Sequence, residues 1–293
     1  MSRIRFKQVD EISRTTVSCA QTAFLRHCRL KNLSSYTCLY YEKNLDYFLE
    51  SEQQIKYVDE IDQEIIEDYI GKMMERGNRV TAINTRLRAV FTFLHYCFDQ
   101  EYTEEFPLHR LKEDETFKEP YTDEEMKKLL RKPKGNCWVE WRAWAVINFL
   151  IATGVRANTI VNIKVSDIDF EQNLIHLRKL KNRKQQMIPM STTLNAALNL
   201  YLKVWDWDVD DYLFSASNHQ QLQAHSLILA IRRYNISRGV TKTSVHLFRH
   251  TFAKNYILAG GGMMQLQAIL GHSTLDMTRK YINLLRKRYT ARF

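Results

Sequence analysis

The chain has 293 residues, of which 45% are hydrophobic, while glycine (9) and proline (4) are scarce. This composition argues against a loop-rich or all-β fold and is compatible with one large domain or two ordinary ones. The five cysteines form no CxxC pair, which argues against a zinc site or a disulfide framework and predicts buried, reduced thiols. The N-terminal residues have no apolar core typical of a secretory signal, and no apolar run reaches the roughly 18 residues of a membrane span.

Positive charge is concentrated in the second part of the chain. The net charge is +10, yet residues 1–118 hold 17 Lys and Arg against 20 Asp and Glu, a balance of −3. Residues 119–293 hold 26 basic against 13 acidic residues, a balance of +13. A basic region of this kind suggests a polyanionic partner, and a generic soluble basic surface is the alternative.

The first part of the chain has the apolar spacing of amphipathic helices, with apolar residues three and four positions apart. Most of its aromatic side chains are therefore predicted to form the core of a helical bundle. The predicted elements are a run beginning at Ala20–His27, a helix over Tyr36–Leu49 capped by Ser34 or Ser35, a helix capped by Asp62 and ended by Gly77-Asn78, and a helix opened by Thr81.

Residues 110–120 are predicted to form a linker, because they are charged, lack a periodic apolar face and end on a proline. A new unit then begins with Thr122 and Glu125, which form a capping-box sequence at a helix start. The apolar run Trp138–Ala152 predicts a buried helix. Two short strands, Leu174–Arg178 and Gln186–Met190, are predicted on either side of a basic turn, and helices follow from there.

Four clusters in the second part contain residues that could perform chemistry. An arginine can direct its planar fork at a phosphate, and a histidine and an arginine three residues apart share a helix face. Each residue by itself also has an ordinary interpretation, as a salt bridge, an exposed lysine, a helix cap or a packing tyrosine. In chain order the clusters are Arg156 after the buried helix, Lys181 in the basic turn, His246 with Arg249, and Leu270-Gly-His272 followed by Tyr281.

Other chemistries lack the residues that they need. His246 and His250 have a zinc-compatible spacing, but no HExxH glutamate or clear third ligand accompanies them. Paired carboxylates for two-metal nuclease chemistry, a GxSxG elbow and a P-loop are also missing from the pattern. We therefore expect no metal, no ATP and no other cofactor.

Taken together and in order, the four clusters resemble the tyrosine recombinase (phage integrase) family over essentially the whole chain. Residues 246–284 reproduce the family's His-x-x-Arg, its Leu-Gly-His and its tyrosine at the expected distance. Residues 152–163 resemble the segment of the first arginine, and residues 179–190 resemble the hairpin of the catalytic lysine. Counting back eight residues from Pro189 places that lysine at Lys181, with Lys184 the neighbour most easily confused with it. The pattern resembles that of a Xer-like recombinase or of a mobile-element integrase, and we expect no arm-binding domain.

Two departures from the family pattern leave the chemical groups in place. Thr159 stands where the family usually has a glutamate, three residues after the first arginine, which would alter how Arg156 is braced. Leu180 and Asn182 replace the glycines that usually flank the lysine, which would change the flexibility of the hairpin.

The resemblance implies a mainly α fold with a small β-sheet or hairpin in the catalytic domain. It further implies a two-domain, C-shaped DNA clamp. Residues 1–109 would form a helical core-binding domain, residues 110–120 the linker, and residues 121–293 the catalytic domain with a C-terminal tail.

The resemblance also implies transesterification at a DNA phosphate, without metal or ATP. A phenol has an ordinary pKa near 10 and is a weak nucleophile at neutral pH, so His246 would act as the base for Tyr281. The product would be a 3′-phosphotyrosine with a free 5′-hydroxyl. Of the other family positions, Arg156 and Arg249 would clamp the non-bridging oxygens, His272 would add a hydrogen bond and Lys181 would protonate the leaving oxygen.

The implied partners are double-stranded recombination sites, a homotetramer on DNA with exchange of C-terminal tails, and accessory DNA-bending proteins. The implied location is the cytoplasm, at the nucleoid and not at a membrane. Tyr289 and Phe293 are candidate tail anchors, and a basic DNA-contacting tail is the alternative. The candidate DNA contacts are Arg79, Arg86, Arg88, Lys184, Arg232, Arg233, Lys242, Thr243 and Ser244.

Three other functions compete with an active recombinase. They are a type IB topoisomerase-like relaxase, a DNA-binding architectural factor that has lost catalysis, and a helical scaffold unrelated to DNA. A core-binding domain and a short tail suit recombination better than relaxation, and the presence of all six expected catalytic residue types argues against an inactive factor. A scaffold would require the whole motif set to be coincidence.

Overall fold

The computed structural model describes residues 14–113, 119–178 and 185–271. The chain divides into two units, Met1–Thr116 and Phe117–Phe293, and this division falls within the residues predicted to be a linker. The interpretation of the units as core-binding and catalytic domains stays a prediction. Several residues singled out in the sequence lie outside the described ranges, namely Leu180, Lys181, Asn182, Lys184, His272, Tyr281, Tyr289 and Phe293.

The described part of the first unit is helical. Side chains of Thr16, Ser34 and Asp62 each accept a hydrogen bond from the backbone amide three residues on, so each begins a helix as an N-cap. Ser34, not Ser35, is the cap of the second helix. The elements are α1 (Val17–Leu30), α2 (Ser35–Ser51), a 3₁₀ turn (Val58–Glu60), α3 (Gln63–Glu75) and α4 (Val80–Asp99).

Aromatic side chains form much of the core between these helices. Phe24 packs against Tyr41, Phe93 and Tyr96, with ring centroids 5.3–5.6 Å apart. Phe48 meets Tyr69 edge to face at 4.9 Å, a geometry that aromatic pairs favour. The helical periodicity of the sequence therefore identified the four helices and most of the side chains buried between them, although Tyr36 and Leu39 of α2 are exposed.

The second unit combines helices with a small antiparallel sheet, so the prediction of a mainly α fold with a β-hairpin is confirmed. The sheet has the order β1-β2-β3, and Leu177 of β2 pairs with Gln186 of β3. Strand β1 was not predicted, because two residues are too few to show a period. The elements are α5 (Asp123–Leu129), α6 (Trp138–Thr153), α7 (Ala157–Ile160), β1 (Ile168–Asp169), β2 (Leu174–Leu177), β3 (Gln186–Pro189), α8 (Thr192–Leu202), α9 (Ala224–Ser237), α10 (His246–Leu258) and α11 (Met263–Leu270).

Helix α6 is the centre of this unit. Every residue from Trp141 to Leu150 is buried, and the helix packs against α8, α9 and α10. A helix covered on all sides needs apolar residues on all sides, which explains its mostly apolar sequence. The buried polar side chains of Arg142 and Asn148 donate to the carbonyls of Ser215 and Trp144. The capping box predicted at Thr122 and Glu125 is present at the start of α5.

The cysteines only partly follow the prediction. All five are free, and Cys28, Cys38 and Cys97 are buried, with burial raising the pKa of Cys97 to about 12. Cys19 and Cys137 are exposed, so the prediction of buried thiols is wrong for these two. Both lie at helix starts, on faces that other elements do not cover. Among the described residues, no helix has the length and apolar character needed to cross a membrane.

Candidate active site

A tight turn after α6 sets the position of the first predicted arginine. Gly154 ends the helix in the left-handed region, with φ +64°. A Cβ at this position would lie 2.4 Å from Cδ1 of Phe252 and 2.8 Å from Cδ2 of Leu270, so only glycine fits. The chain then turns into α7, whose N-cap is Arg156, and the Arg156 side chain is half-buried.

Arg249 on α10 bridges the ends of two other helices. Its Nη1 donates to the carbonyl of Gly154 at 2.8 Å, and its Nη2 donates to the carbonyl of Leu270, also at 2.8 Å. Carbonyls at helix C-termini lack intrahelical donors and carry partial negative charge. The nearly buried guanidinium, only 6% exposed, is thus stabilised by two helix ends.

Arg156 and Arg249 line the same small crevice. Planar guanidinium groups match the geometry of a phosphate, so a crevice with two of them is suited to binding one. The remaining lining residues come from the turn after α6, from α7, from the sheet and from the end of α11, and they are Val155, Thr159, Leu177, Gln186, Ile269, Leu270 and Gly271.

Three lining residues are close in sequence to segments outside the described ranges. Leu177 of β2 and Gln186 of β3 are the paired residues that flank residues 179–184 in the sequence, and those residues contain Lys181. Gly271 immediately precedes His272. Thr159, at the position of the usual family glutamate, is buried and lines the crevice, but its short hydroxyl side chain offers no charge to brace Arg156.

His246 is the first residue of α10, one turn before Arg249, as the spacing of the motif predicted. The His246 side chain is exposed, whereas Arg249 is buried. His250, the other histidine of the motif, is half-buried. Among the described residues, no three His, Cys, Asp or Glu side chains are grouped closely enough to hold a metal ion.

Of the predicted DNA contacts in the second unit, Lys242 has an intramolecular role that the sequence did not reveal. Its Nζ donates to Oε2 of Glu125 at 3.0 Å and to the carbonyl of Pro120 at 3.1 Å. Burial raises the pKa of Glu125, but hydrogen bonds from the Thr122 amide and from Lys242 outweigh it, so this pKa lies below its ordinary value.

The neighbouring candidates differ in exposure. Arg232 and Arg233 are exposed on α9 and are accessible to a ligand. Thr243 and Ser244 are half-buried, and the Ser244 carbonyl accepts a hydrogen bond from the hydroxyl of Tyr121 at 3.3 Å. The backbone of this loop is therefore held by the body of the unit.

Tyr47 organises the basic residues of the first unit. The Arg86 guanidinium carbon lies 3.6 Å from the centroid of the Tyr47 ring, a cation–π contact, and Arg76 donates to the Tyr47 hydroxyl at 3.0 Å. Arg76 was not among the predicted contacts, because its neighbour across the bundle is not visible in the sequence. Arg79, the N-cap of α4, and Arg88 are exposed.

Known proteins that resemble this chain are tyrosine recombinases and integrases. The tyrosine recombinase XerD of Staphylococcus haemolyticus is 23% identical over 265 residues, which cover 87% of this chain and 90% of that protein. The crystal structure of XerA recombinase is 26% identical, with a TM-score of 0.51 and coverage of 93% of this chain and 97% of that one. The Tn1549 transposon integrase in complex with transposon right end DNA is 21% identical, with a TM-score of 0.78 and coverage of 91% and 94%.

The family model described as phage integrase family matches residues 121–288, which is more than half of the chain. The matched segment contains the turn after α6, the sheet, α10 and α11, and so every element that lines the crevice. The chain therefore belongs to the phage integrase family.

Proposed function

We propose that this protein is a site-specific tyrosine recombinase. It cleaves and rejoins DNA through a 3′-phosphotyrosine intermediate and a Holliday junction, in integration and excision, inversion or resolution. The observation that carries the proposal is the convergence of Arg156 and Arg249 on one crevice in a chain of the phage integrase family.

In this proposal the crevice receives the scissile phosphate. Arg249 is already held by the carbonyls of Gly154 and Leu270, so its guanidinium does not need to be ordered when the DNA arrives. Donors fixed in advance stabilise developing charge more effectively than mobile ones. Arg156 supplies a second guanidinium from the α7 side, and the two together neutralise the non-bridging oxygens.

The bonds exchanged in the proposed reaction balance. The phenol oxygen of Tyr281 forms a bond to phosphorus while the bond from phosphorus to the 5′-oxygen breaks. His246 accepts the phenol proton, Lys181 donates a proton to the leaving oxygen, and His272 donates a hydrogen bond to the phosphate. One phosphoester replaces another, so religation to a partner strand requires no ATP. The arginines supply the charge neutralisation that a metal ion provides in other phosphoryl-transfer enzymes.

The proposed partner is double-stranded DNA that carries a recombination site. The balance of +13 over residues 119–293 favours a polyanion, and the first unit would act as the core-binding domain. Recombining two duplexes requires four strand cleavages, and each chain carries one Tyr281, so we propose a homotetramer on DNA with exchange of C-terminal tails. We further propose that accessory DNA-bending proteins assist the reaction and that the protein is located at the nucleoid in the cytoplasm.

A suicide-substrate assay tests this function. Purified protein would be incubated with nicked duplexes from the DNA that flanks its own gene, in EDTA and without ATP. We expect a slow-migrating protein–DNA adduct on a denaturing gel from wild type and from the control Tyr289→Phe, and none from Tyr281→Phe.

The other outcomes are equally informative. An adduct that persists in Tyr281→Phe would place the nucleophile elsewhere. DNA binding without an adduct from any variant, on a confirmed binding site, would favour the architectural factor. An adduct formed only when a divalent metal is restored would contradict the metal-independent mechanism.

A further inference from the structure

The last turn of α11 is held by side chains from two other elements. The Nε2 of Gln186, the first residue of β3, donates to the carbonyl of Ala268 at 2.9 Å and lies 3.4 Å from the carbonyl of Ile269. The Nη2 of Arg249 donates to the next carbonyl, that of Leu270. The Gly271 amide also donates to the carbonyl of Ala268 at 3.0 Å, so the side-chain bonds add to a helix end that its own backbone only partly satisfies.

Gln186 belongs to the crevice as well as to the sheet. Its half-buried side chain lines the crevice beside Arg156 and Arg249. Its Oε1 would lie 3.8 Å from a Cβ on Gly271, the residue that ends α11. The Gln186 amide thus joins the sheet to the end of α11, close to the Leu270 carbonyl that accepts a hydrogen bond from Arg249.

Apolar packing already anchors α11 to the rest of the unit. Leu266 and Leu270 are buried in a cluster with Ala253 of α10. Such packing determines where the helix lies but not the direction of its last carbonyls, because dispersion contacts are not directional. Hydrogen bonds are directional, so the bonds from Gln186 add a directional restraint on the last turn.

We propose that Gln186 is a positioning residue for Arg249. By fixing the last turn of α11 it fixes the carbonyl of Leu270, and this carbonyl together with that of Gly154 aims the guanidinium into the crevice. The proposal rests on the proposed function, since it assigns Gln186 a role in binding the scissile phosphate.

The test compares Gln186→Met with Gln185→Met. Methionine keeps the unbranched length of glutamine, removes the donor and adds no charge. Gln185 is the preceding residue, is exposed and makes none of these bonds, so it is the matched control. Single-turnover cleavage would be measured on a nicked duplex with an ordinary scissile phosphate and on one with a methylphosphonate there. The methylphosphonate lacks the negative charge that the arginines neutralise.

We expect Gln186→Met to cleave the ordinary phosphate about 10- to 100-fold more slowly than wild type, because small misplacements of a catalytic group have effects of this size. We expect Gln186→Met to bind DNA with the affinity of wild type. On the methylphosphonate substrate its cleavage rate should be close to that of wild type. Gln185→Met should match wild type on both substrates.

Four results would overturn the inference. The first two are cleavage by Gln186→Met as fast as that by wild type, and equal impairment of Gln186→Met on both substrates. The third is loss of the folded state of Gln186→Met in tryptophan fluorescence, which would assign Gln186 to stability. A deficit relieved instead by a substrate with a 5′-bridging sulfur, whose departure needs no proton, would place the effect at leaving-group protonation. If wild type itself forms no adduct, the proposed function fails first.

Discussion

Replacing Gly154 by alanine should strongly destabilise the second unit. The left-handed φ of +64° costs an alanine about 1–2 kcal/mol. The new Cβ would also lie 2.4 Å from Phe252 and 2.8 Å from Leu270, so both side chains or the turn must move. Overpacking of this kind costs about 1–3 kcal/mol. The expected total loss in the free energy of unfolding is about 2–5 kcal/mol.

A matched variant separates the two contributions. Gly239 follows α9 in the same unit with φ +72°, but no atom lies within 4 Å of a Cβ built there. Gly239→Ala should therefore lose only the backbone contribution, about 1–2 kcal/mol. The difference between the two alanine variants measures the clash of the new methyl group with Phe252 and Leu270.

Urea unfolding followed by tryptophan fluorescence measures these losses in the second unit alone. The sequence has five tryptophans, all in that unit: Trp138, Trp141, Trp144, Trp205 and Trp207. Changes in the transition midpoint at constant slope report changes in stability. Equal losses for Gly154→Ala and Gly239→Ala would refute the reasoning, because they would show that Phe252 and Leu270 move aside without cost.

Three further predictions concern substitutions of single basic side chains. Arg249→Lys loses the planar guanidinium that bridges two helix ends. Its single-turnover cleavage rate should fall about 10²–10³-fold, while its DNA affinity in a gel-shift assay changes little. Parallel losses in cleavage rate and DNA affinity would contradict this. Lys242→Met should lower stability by about 1 kcal/mol at neutral pH. The pKa of Glu125 lies below its ordinary value, so its ionised form stabilises the fold at neutral pH and this contribution is lost as pH falls through the lowered pKa. Urea unfolding should therefore show the two proteins converging at acidic pH. Arg79→Gln and Arg86→Gln should each reduce the slope of log affinity against log salt by about 1, and an unchanged slope would remove that residue from the DNA contacts.

Local signals in the sequence predicted most of the helices. The N-caps Ser34, Asp62 and Thr122 were recognisable because their oxygens act on amides only three residues away. The mostly apolar sequence of α6 likewise predicted its burial. The exposure of Cys19 and Cys137 was not predictable in this way, since the burial of a small side chain depends on which other elements cover it.

The sequence by itself determined the family, because the motif residues and their order are properties of the chain. Only the tertiary structure decided that Arg156 and Arg249 share a crevice, that Arg249 bonds to the carbonyls of Gly154 and Leu270, and that Gln186 joins β3 to α11. Periodicity and capping act within one or two turns of the chain. Contacts between residues far apart in sequence depend on how whole helices and strands pack, which no short pattern records.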